Sequence, residues 1–580
     1  MKRFKDPIYG YIEIPKDIVK KIIDTPEFQR LRYIKQTSYL PVYSAALHNR
    51  FVHSLGVYYL GVKAYDSIKN NSKEILEKYS VNDKIEETFK LACLLHDVGH
   101  SPFSHSGENF FIDESKSLYD KLVNIVNNSQ FSLDVDYYNN KPAAPHEIMS
   151  VVVALKQFDS FFDDSDSDNE IKSFFARCIT GYKYRDADKN VMHSILNALI
   201  SLLNSSTIDV DRLDYLIRDA YVMGFNSISI DYNRLIDAIT LVETKSSSEG
   251  ATIQLAYNKS ALSVIENVIY AHDSEKKWIQ NHPVIQYEVF LVQRIITDVK
   301  IDYKKRTGID LFSLESLLPS TGAPRNEFYE DAENKLEEAL KKANEIKEHD
   351  FSNTLNDIKE LVDHLSLPIK ISSLCDDDII YLAKHLGVPL SDELLDRNSR
   401  RHPVWKSESE YRICVDCYVG NDIHPCLQEK IKILSRFQNE ESPSHCINDD
   451  AINYCNNCLN DVMKSELSEL DKEIMVNRYE LLLKWLNGFK KIAENQSLKT
   501  FNFVIVPTSK FRTSFNKNDL SETPIYFHKE NKLYKLKELI NLFSTKNDDR
   551  QEFFYVFYKR GKDCVNAFDF GKDLAKLALE

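Results

Sequence analysis

Two histidines and two aspartates, scattered over the first part of the chain, have the types and settings to share a metal ion. They are His53, the adjacent pair His96-Asp97, and Asp211. Two neutral imidazoles and two carboxylates make a mixed nitrogen/oxygen shell with open positions, suited to a hydrolytic divalent or iron-type ion. The doublet lies in Leu94-Leu95-His96-Asp97-Val98-Gly99-His100, where an apolar segment ends abruptly in polar residues and a glycine. Buried imidazole and carboxylate need partners, and an ion satisfies both. Taken alone, the doublet reads more simply as a core histidine beside a helix-end aspartate. The company it keeps changes that reading.

The elements that must position these groups are helices. Ile85, Phe89, Ala92 and Cys93 recur at helical spacing, with Asp83 and Glu86 as a capping start and Gly99 and Pro102 as stops. His96 and Asp97 are then expected in the last turn. The segment Ile208 to Asp219 predicts a second helix, with Asp211, Tyr215, Arg218 and Asp219 on one side and Leu213, Leu216 and Ile217 on the other. Such a polar stripe is ordinarily a solvated face. A tyrosine, a base and a second acid beside a candidate ligand suit a lined cleft better.

The fold class expected is mainly α, with a helical core followed by a mixed α+β lobe at the carboxy-terminal end. Residues 1–317 read as helix after helix, with polar loops at 128–145 and 159–170. A linker-like stretch near Leu318-Pro319 opens a charged helical extension, 318–400, which includes Asp331 to His349. In 401–580 the pattern changes: Tyr411 to Val415, Phe501 to Val506 and Glu552 to Tyr558 suggest strands, and 468–493 a helix between them. The chain has 580 residues, 43% of them hydrophobic, which suffices for a large core and more than one domain. No apolar run approaches membrane-spanning length, no apolar leader opens the chain, and ten cysteines are too sparse for a secreted scaffold, so a cytoplasmic protein is expected. A net charge of −14 argues against broad nucleic-acid binding.

Four stretches carry a family resemblance: Asp6 to Glu13, Asp24 to Gln36, His48 to Val57, and His96 to His105, closed in order by Asp209 to Asp219. On these the chain resembles the HD-superfamily phosphohydrolases, and within them the deoxynucleoside triphosphate triphosphohydrolases (dNTPases), in the branch of the mammalian SAM-and-HD-domain enzyme. The match is specific over roughly the first 235 residues and vague beyond about residue 300, and no SAM module is expected ahead of Asp6. The resemblance implies an HD-domain core and hydrolysis of dNTPs to deoxynucleoside and inorganic triphosphate.

By this resemblance His53, His96, Asp97 and Asp211 match metal ligands, for one or more Mn, Mg or Fe ions. His100, His105, Glu108 and His146 match positions that orient phosphate or move protons. Histidine suits such work because its pKa lies near neutral pH. His105 is the choice for acid/base work, with Glu108, an aspartate in the mammalian relative, holding its ring. Arg50 matches a phosphate-contacting arginine, Gln36 a residue that reads the 3′-hydroxyl, and Tyr215 and Asp219 groups that hold the sugar and its phosphates. Arg212 stands for a frequent lysine, and Thr37 for an apolar residue beside the sugar. Lys2, Asp24 and Arg32 match positions that bind an activating dNTP or GTP between subunits, and a dimer-based homo-oligomer is implied. Asp24 and Arg32 read equally as an ion pair or a helix cap. Lys5 and the segment Tyr270 to His282 depart from the regulatory pattern. Depletion of dNTPs in phage defence is a role that the resemblance allows.

Cys414-x2-Cys417 and Cys455-x2-Cys458 are outside the resemblance. They could hold a structural zinc, although their separation exceeds the usual ribbon spacing; reduced, unligated thiols are the simpler reading. Two other functions remain open on the residues alone. One is an HD phosphohydrolase acting on another nucleotide phosphate ester; the other is a non-catalytic nucleotide sensor.

Overall fold

The computed structural model describes residues 1–37, 42–108, 115–138, 143–162, 169–225, 229–245, 251–307, 311, 374–465, 468–508, 517–540, 552–560 and 564–579. The chain is mainly helical with a few small sheets. Four helices position the site: α1 (Arg50–Asn71), α2 (Asp83–Leu95), α3 (Pro145–Gln157) and α4 (Val210–Met223). Each starts where local chemistry satisfies its free amides. Asn49, Asn82 and Asp209 accept from Val52, Ile85 and Arg212 two or three residues into α1, α2 and α4. Pro145 stands in the first turn of α3, and Glu147 accepts the Ala144 amide at 2.7 Å. α1 packs against both α2 and α4, so the three helices that carry His53, the doublet and Asp211 share one core.

The first 310 residues also contain strands that helical periodicity does not announce. Strands β1 (Lys2–Asp6) and β2 (Gly10–Ile14) form an antiparallel hairpin against α1, and β3 (Ile239–Lys245) pairs with β4 (Ala251–Asn258). Further along lie β5 (His402–Pro403), β6 (Ile447–Asn448), β7 (Asn502–Pro507), β8 (Pro524–Phe527), β9 (Lys532–Lys535) and β10 (Phe554–Tyr558). They form sheets in the orders β5-β10-β7-β6 and β3-β4-β8-β9. The second sheet joins the middle of the chain to its carboxy-terminal part, since β8 pairs in parallel with β4 through Tyr257 and Ile525.

Several expectations need correction. Tyr411 to Val415 is not a strand: Glu408–Tyr411 runs through a π-turn, Arg412–Asp416, into the long helix Cys417–Glu440. Tyr411, Cys414 and Val415 are buried, a helical rather than an alternating pattern, and Arg412 pairs with Glu408 and Asp416 one turn away on either side. The polar segment 128–145 contains a helix, Ser129–Tyr137, capped by Asn128; Phe131 and Val135 are buried, and Asp134 pairs with the buried Arg177 at 2.8 Å. In 159–170, Asp159–Phe161 is a short 3-10 turn, and 163–168 lies outside the described residues. The helical stretch Asp331 to His349 and most of 318–400, namely 318–373, also lie outside them. The expected strands at Phe501 to Val506 and Glu552 to Tyr558 correspond to β7 and β10, and the 468–493 helix to Glu469–Asn495. Among the described residues no helix is long and apolar enough to cross a membrane.

The loop after α2 is clamped from a distant part of the chain. Arg30, buried, donates to the carbonyls of Leu374, Val98 and His100. Asp376 accepts the amides of Phe103 at 2.6 Å and Lys35 at 3.0 Å. Phe103 and Ser104 are held in the left-handed region, at φ 58° and 54°, a conformation that persists only where surrounding contacts impose it.

Candidate metal centre and adjoining histidine cluster

α1 presents His53 one turn after Arg50. The doublet stands just beyond Leu95, the last residue of α2, with His96 as its cap, and Asp211 lies in the first turn of α4. Each histidine has one ring nitrogen already committed. His53 Nδ1 lies 2.7 Å from Asp214 Oδ2, and His96 Nδ1 lies 3.0 Å from the Cys93 carbonyl. Both acceptors fix the Nδ1–H tautomer, which turns the Nε2 lone pairs to the same space. The two Nε2 atoms are 3.4 Å apart. Asp97 Oδ2 lies 3.6 Å from His53 Nε2 and 3.5 Å from His96 Nε2, while Asp211 Oδ1 lies 2.9 Å and 3.5 Å from the same atoms. Ligands about 2.1 Å from a common ion stand roughly 3.0–3.4 Å apart in octahedral or tetrahedral geometry, so His53, His96 and Asp97 can share one divalent ion, with Asp211 set against both imidazoles.

Arg50 Nη1 lies 2.7 Å from Asp97 Oδ2, and its Nε donates to Ser104 Oγ at 3.0 Å. Burial pushes the Asp97 carboxyl up, but Arg50, His96 and His53 outweigh it and hold the group well below the usual carboxylate range. Burial likewise opposes charge on His53, yet the bonds to Asp211 and Asp214 lift it to about 9. Without an ion, the carboxylates compete for that ring as hydrogen-bond acceptors.

A second cluster adjoins the first: His100, His105, Glu108 and His146, whose ligating atoms lie within 4.8 Å of one another. The His105 ring bonds through Nδ1 to Glu108, whose Oε1 also lies 2.9 Å from His146 Nδ1. Burial raises Glu108, but its two histidine partners hold it well below the usual carboxylate range. Burial lowers His146, but Glu108 overcomes this and lifts it to about 9, so His146 is cationic at neutral pH. His100, fully buried and stacked on His146 at 4.5 Å between centroids, is pushed well below its ordinary value by burial and by the cations around it. Neither of its ring nitrogens has a hydrogen-bond partner among the described residues. His105, with a side chain 66% exposed, is the member of the cluster open to an incoming group.

A cleft of about 250 Å³ opens beside His105, with Gln36, Thr37, Phe103, Gln280 and Gln286 among its walls. Gln36 Oε1 and Thr37 Oγ1 are buried there without hydrogen-bond partners among the described residues. The structure does not bring Arg212, Tyr215 or Asp219 to that wall. Arg212 donates to the carbonyls of Thr207 and Ser205, Tyr215 is half-buried, and Asp219 is engaged by His48 Nε2 at 2.6 Å. Lys2 and Asp24 meet at 3.7 Å on the surface, whereas Arg32 lies over the Phe51 ring and donates to Gln29. Cys414 and Cys455 are buried, Cys417 is exposed, and no cluster of three or more ligating groups among the described residues contains any of them.

The sequence reading passed over Asp214, Tyr9 and His48. Asp214 stood in the text as the third aspartate of Asp209-Val210-Asp211-Arg212-Leu213-Asp214, three residues after a candidate ligand and on the buried side of α4. A metal-ligating histidine needs an acceptor for its other nitrogen, which is the signal that could have found it.

The HD domain family matches residues 50–133. Among curated proteins, the deoxynucleoside triphosphate triphosphohydrolase SAMHD1 homolog of Dictyostelium discoideum is 28% identical over 301 residues, 51% of this chain and 49% of that protein. The deoxynucleoside triphosphate triphosphohydrolase SAMHD1 of Gallus gallus is 33% identical over 238 residues, 41% and 36% of the two chains. The uncharacterized protein YwfO of Bacillus subtilis is 28% identical over 301 residues, 52% and 56%. The chain thus spans about half or less of the length of most curated relatives it matches. Residues 50–133 thus match the HD domain family, and about half or less of the chain is similar to the SAMHD1-type proteins.

Proposed function

We propose that this chain hydrolyses deoxynucleoside triphosphates to the deoxynucleoside and inorganic triphosphate in a metal-dependent reaction. The observation that carries the reading is the meeting of His53, His96 and Asp97, with Asp211 against both imidazoles, near the His100–His105–Glu108–His146 cluster, whose His105 lines a cleft holding Gln36. The deoxynucleoside triphosphate triphosphohydrolase activity of the SAMHD1 relatives supports the choice of substrate. His53, His96 and Asp97, with Asp211 beside them, would hold a divalent ion that would supply Lewis-acid polarisation of a phosphoryl oxygen.

The chain's own groups do the rest. Arg50 offers a planar guanidinium next to the shell, and the cationic His146 balances phosphate charge. Water oxygen bonds to the α-phosphorus, the bond from phosphorus to the 5′ oxygen breaks, and His105 delivers a proton to that leaving oxygen; the water's proton passes to solvent, from which the His105 ring is reprotonated. Glu108 orients the His105 ring. Gln36, its Oε1 unpartnered, reads a sugar hydroxyl, while Tyr215, Arg212 and Asp219 serve the sugar and phosphates after Asp219 exchanges His48 for substrate. Activation by a nucleotide at Lys2, Asp24 and Arg32, a dimer-based assembly and a part in phage defence extend this reading.

The test is a turnover screen of each dNTP, alone and with every other nucleotide as activator, in Mn, Mg or Fe, with products resolved by chromatography. Release of deoxynucleoside and intact triphosphate is expected. No turnover in any combination, or stepwise loss of phosphate, overturns the proposal.

A further inference from the structure

The amino-terminal hairpin reaches the candidate metal centre through the Tyr9 hydroxyl and, by way of Arg218, through the Asp6 carboxylate. Its turn is built by Asp6, whose Oδ1 accepts the amides of Ile8 at 2.8 Å and Tyr9 at 3.0 Å, and by Gly10 at φ 79°, a backbone that favours glycine. This turn sends Tyr9 inward. Its ring stacks on Tyr59 of α1 at 4.9 Å and meets Tyr232 edge-on at 5.3 Å. Its hydroxyl donates to Asp214 Oδ1 at 2.8 Å.

Asp214 is fully buried and accepts from four donors: Tyr9, His53 Nδ1 at 2.7 Å, and Arg218 through Nε at 2.9 Å and Nη2 at 3.0 Å. Arg218 is itself tied back to the hairpin, through Nη1 to Asp6 Oδ2 at 3.0 Å. The carboxylate plane that orients the His53 ring is therefore set on one side by α4 and on the other by the hairpin. Gly56 keeps the passage open, because a Cβ there would lie 1.9 Å from Asp214 Oδ1.

We propose that the hairpin of residues 2–14 is a positioning element of the metal centre, with Tyr9 acting through Asp214 to hold His53 in the orientation and tautomer that an ion requires. This rests on the reading of His53 as a ligand. Tyr9 touches neither ion nor substrate, so its contribution is geometric: it removes the freedom of Asp214 to rotate and carry the imidazole with it. The surface end of the same hairpin bears Lys2, paired with Asp24, so displacement of strand β1 there would be felt at His53 through two hydrogen bonds and one buried ion pair.

The experiment is Mn2+ titration by calorimetry without nucleotide, on the full chain and on Tyr9→Phe, Asp214→Asn, Ile12→Ala and His53→Ala. Tyr9→Phe removes only the hydroxyl and leaves the ring on Tyr59. Residues behind metal-ligating histidines change affinity by about 10- to 100-fold, which is expected for Asp214→Asn; Tyr9, one bond further out, should weaken binding roughly threefold to tenfold. Ile12, 1% exposed, belongs to the apolar core and contributes no polar side-chain atom to the relay, so its variant should lower the melting temperature and leave Mn2+ affinity within twofold. The visible absorption of the Co2+-loaded protein should change in Tyr9→Phe and not in Ile12→Ala. Unchanged affinity in Tyr9→Phe overturns the inference, as does an equal loss in Ile12→Ala, which would make the effect one of general packing. A parent that binds no Mn2+, or binds equally after His53→Ala, overturns the ligand reading and the inference with it.

Discussion

Two glycines of α1, Gly56 and Gly61, permit a paired test of how the centre is supported. In the interior of an exposed helix, Gly→Ala stabilises by about 1 kcal/mol. At Gly56 the added Cβ would stand 1.9 Å from Asp214 Oδ1, 2.7 Å from Asp214 Cγ and 2.5 Å from Arg218 Nη2. Asp214 cannot retreat without breaking its bonds to Tyr9, His53 and Arg218, and disrupting a buried pair of this kind costs about 3–5 kcal/mol. Net destabilisation of about 2–4 kcal/mol follows, together with a loss of at least roughly tenfold in Mn2+ affinity, because the partner of His53 is displaced. At Gly61 the Cβ would meet Cys93 Sγ at 2.5 Å and Cys93 Cβ at 3.1 Å. Overpacking of about 1–3 kcal/mol, offset by the same helical gain, leaves a cost of roughly 0–2 kcal/mol and an unchanged metal affinity. Thermal melting of the metal-free proteins and Mn2+ calorimetry at low temperature measure both quantities. A Gly56→Ala protein as stable as the parent, or equal affinity losses in the two variants, would refute the argument.

Other expectations follow from the same contacts. Glu108→Gln should lower kcat by about 10²–10⁴-fold while Mn2+ affinity stays within twofold, since the carboxylate orients His105 and charges His146 but lies outside the ligand shell; a larger fall in affinity than in kcat would contradict this. Burial lifts the Asp376 carboxyl to about 6 against the pull of the Phe103 and Lys35 amides. The folded protein therefore keeps a proton that the unfolded chain loses near pH ~4, and the stability this confers, about 3 kcal/mol, is complete below pH ~4 and lost as pH rises through 6. Urea unfolding of Asp376→Asn should lack that decline between pH ~4 and ~7, and identical profiles would exclude it. Arg401→Ala strands Glu393, which is 3% exposed and otherwise bonded to Tyr287, with Lys559 at 3.7 Å; a loss of about 3 kcal/mol is expected in the denaturation midpoint, and a neutral effect would disprove it.

What could be read from the chain beforehand divides along physical lines. His53, His96, Asp97 and Asp211 are polar groups in apolar settings, which periodicity exposes, and the fold places them together. The mainly helical core follows from long segments of period 3.6, such as Asp83–Leu95 and Val210–Met223. Tyr9, Asp214 and His48 escaped because their importance lies in contacts 161 to 205 residues away in sequence, or 171 for His48, which no local pattern records. Tyr411 to Val415 misled because β-branched and aromatic residues suggest a strand, while packing of Tyr411, Cys414 and Val415 on one side decides for helix. Ser129–Tyr137 was hidden by polar residues whose partner, Arg177, lies far along the chain.

The parallel pairing of β8 with β4 has a bearing on biosynthesis. The end of β4 at Tyr257 and Asn258 is made when residue 258 leaves the ribosome, yet the strand that pairs with it arrives some 260 residues later, at Pro524–Phe527. Through that interval a nascent chain presents open backbone donors and acceptors to any neighbouring polypeptide. Shortened forms ending before residue 520 would carry this bare edge permanently and should self-associate more readily than the whole chain.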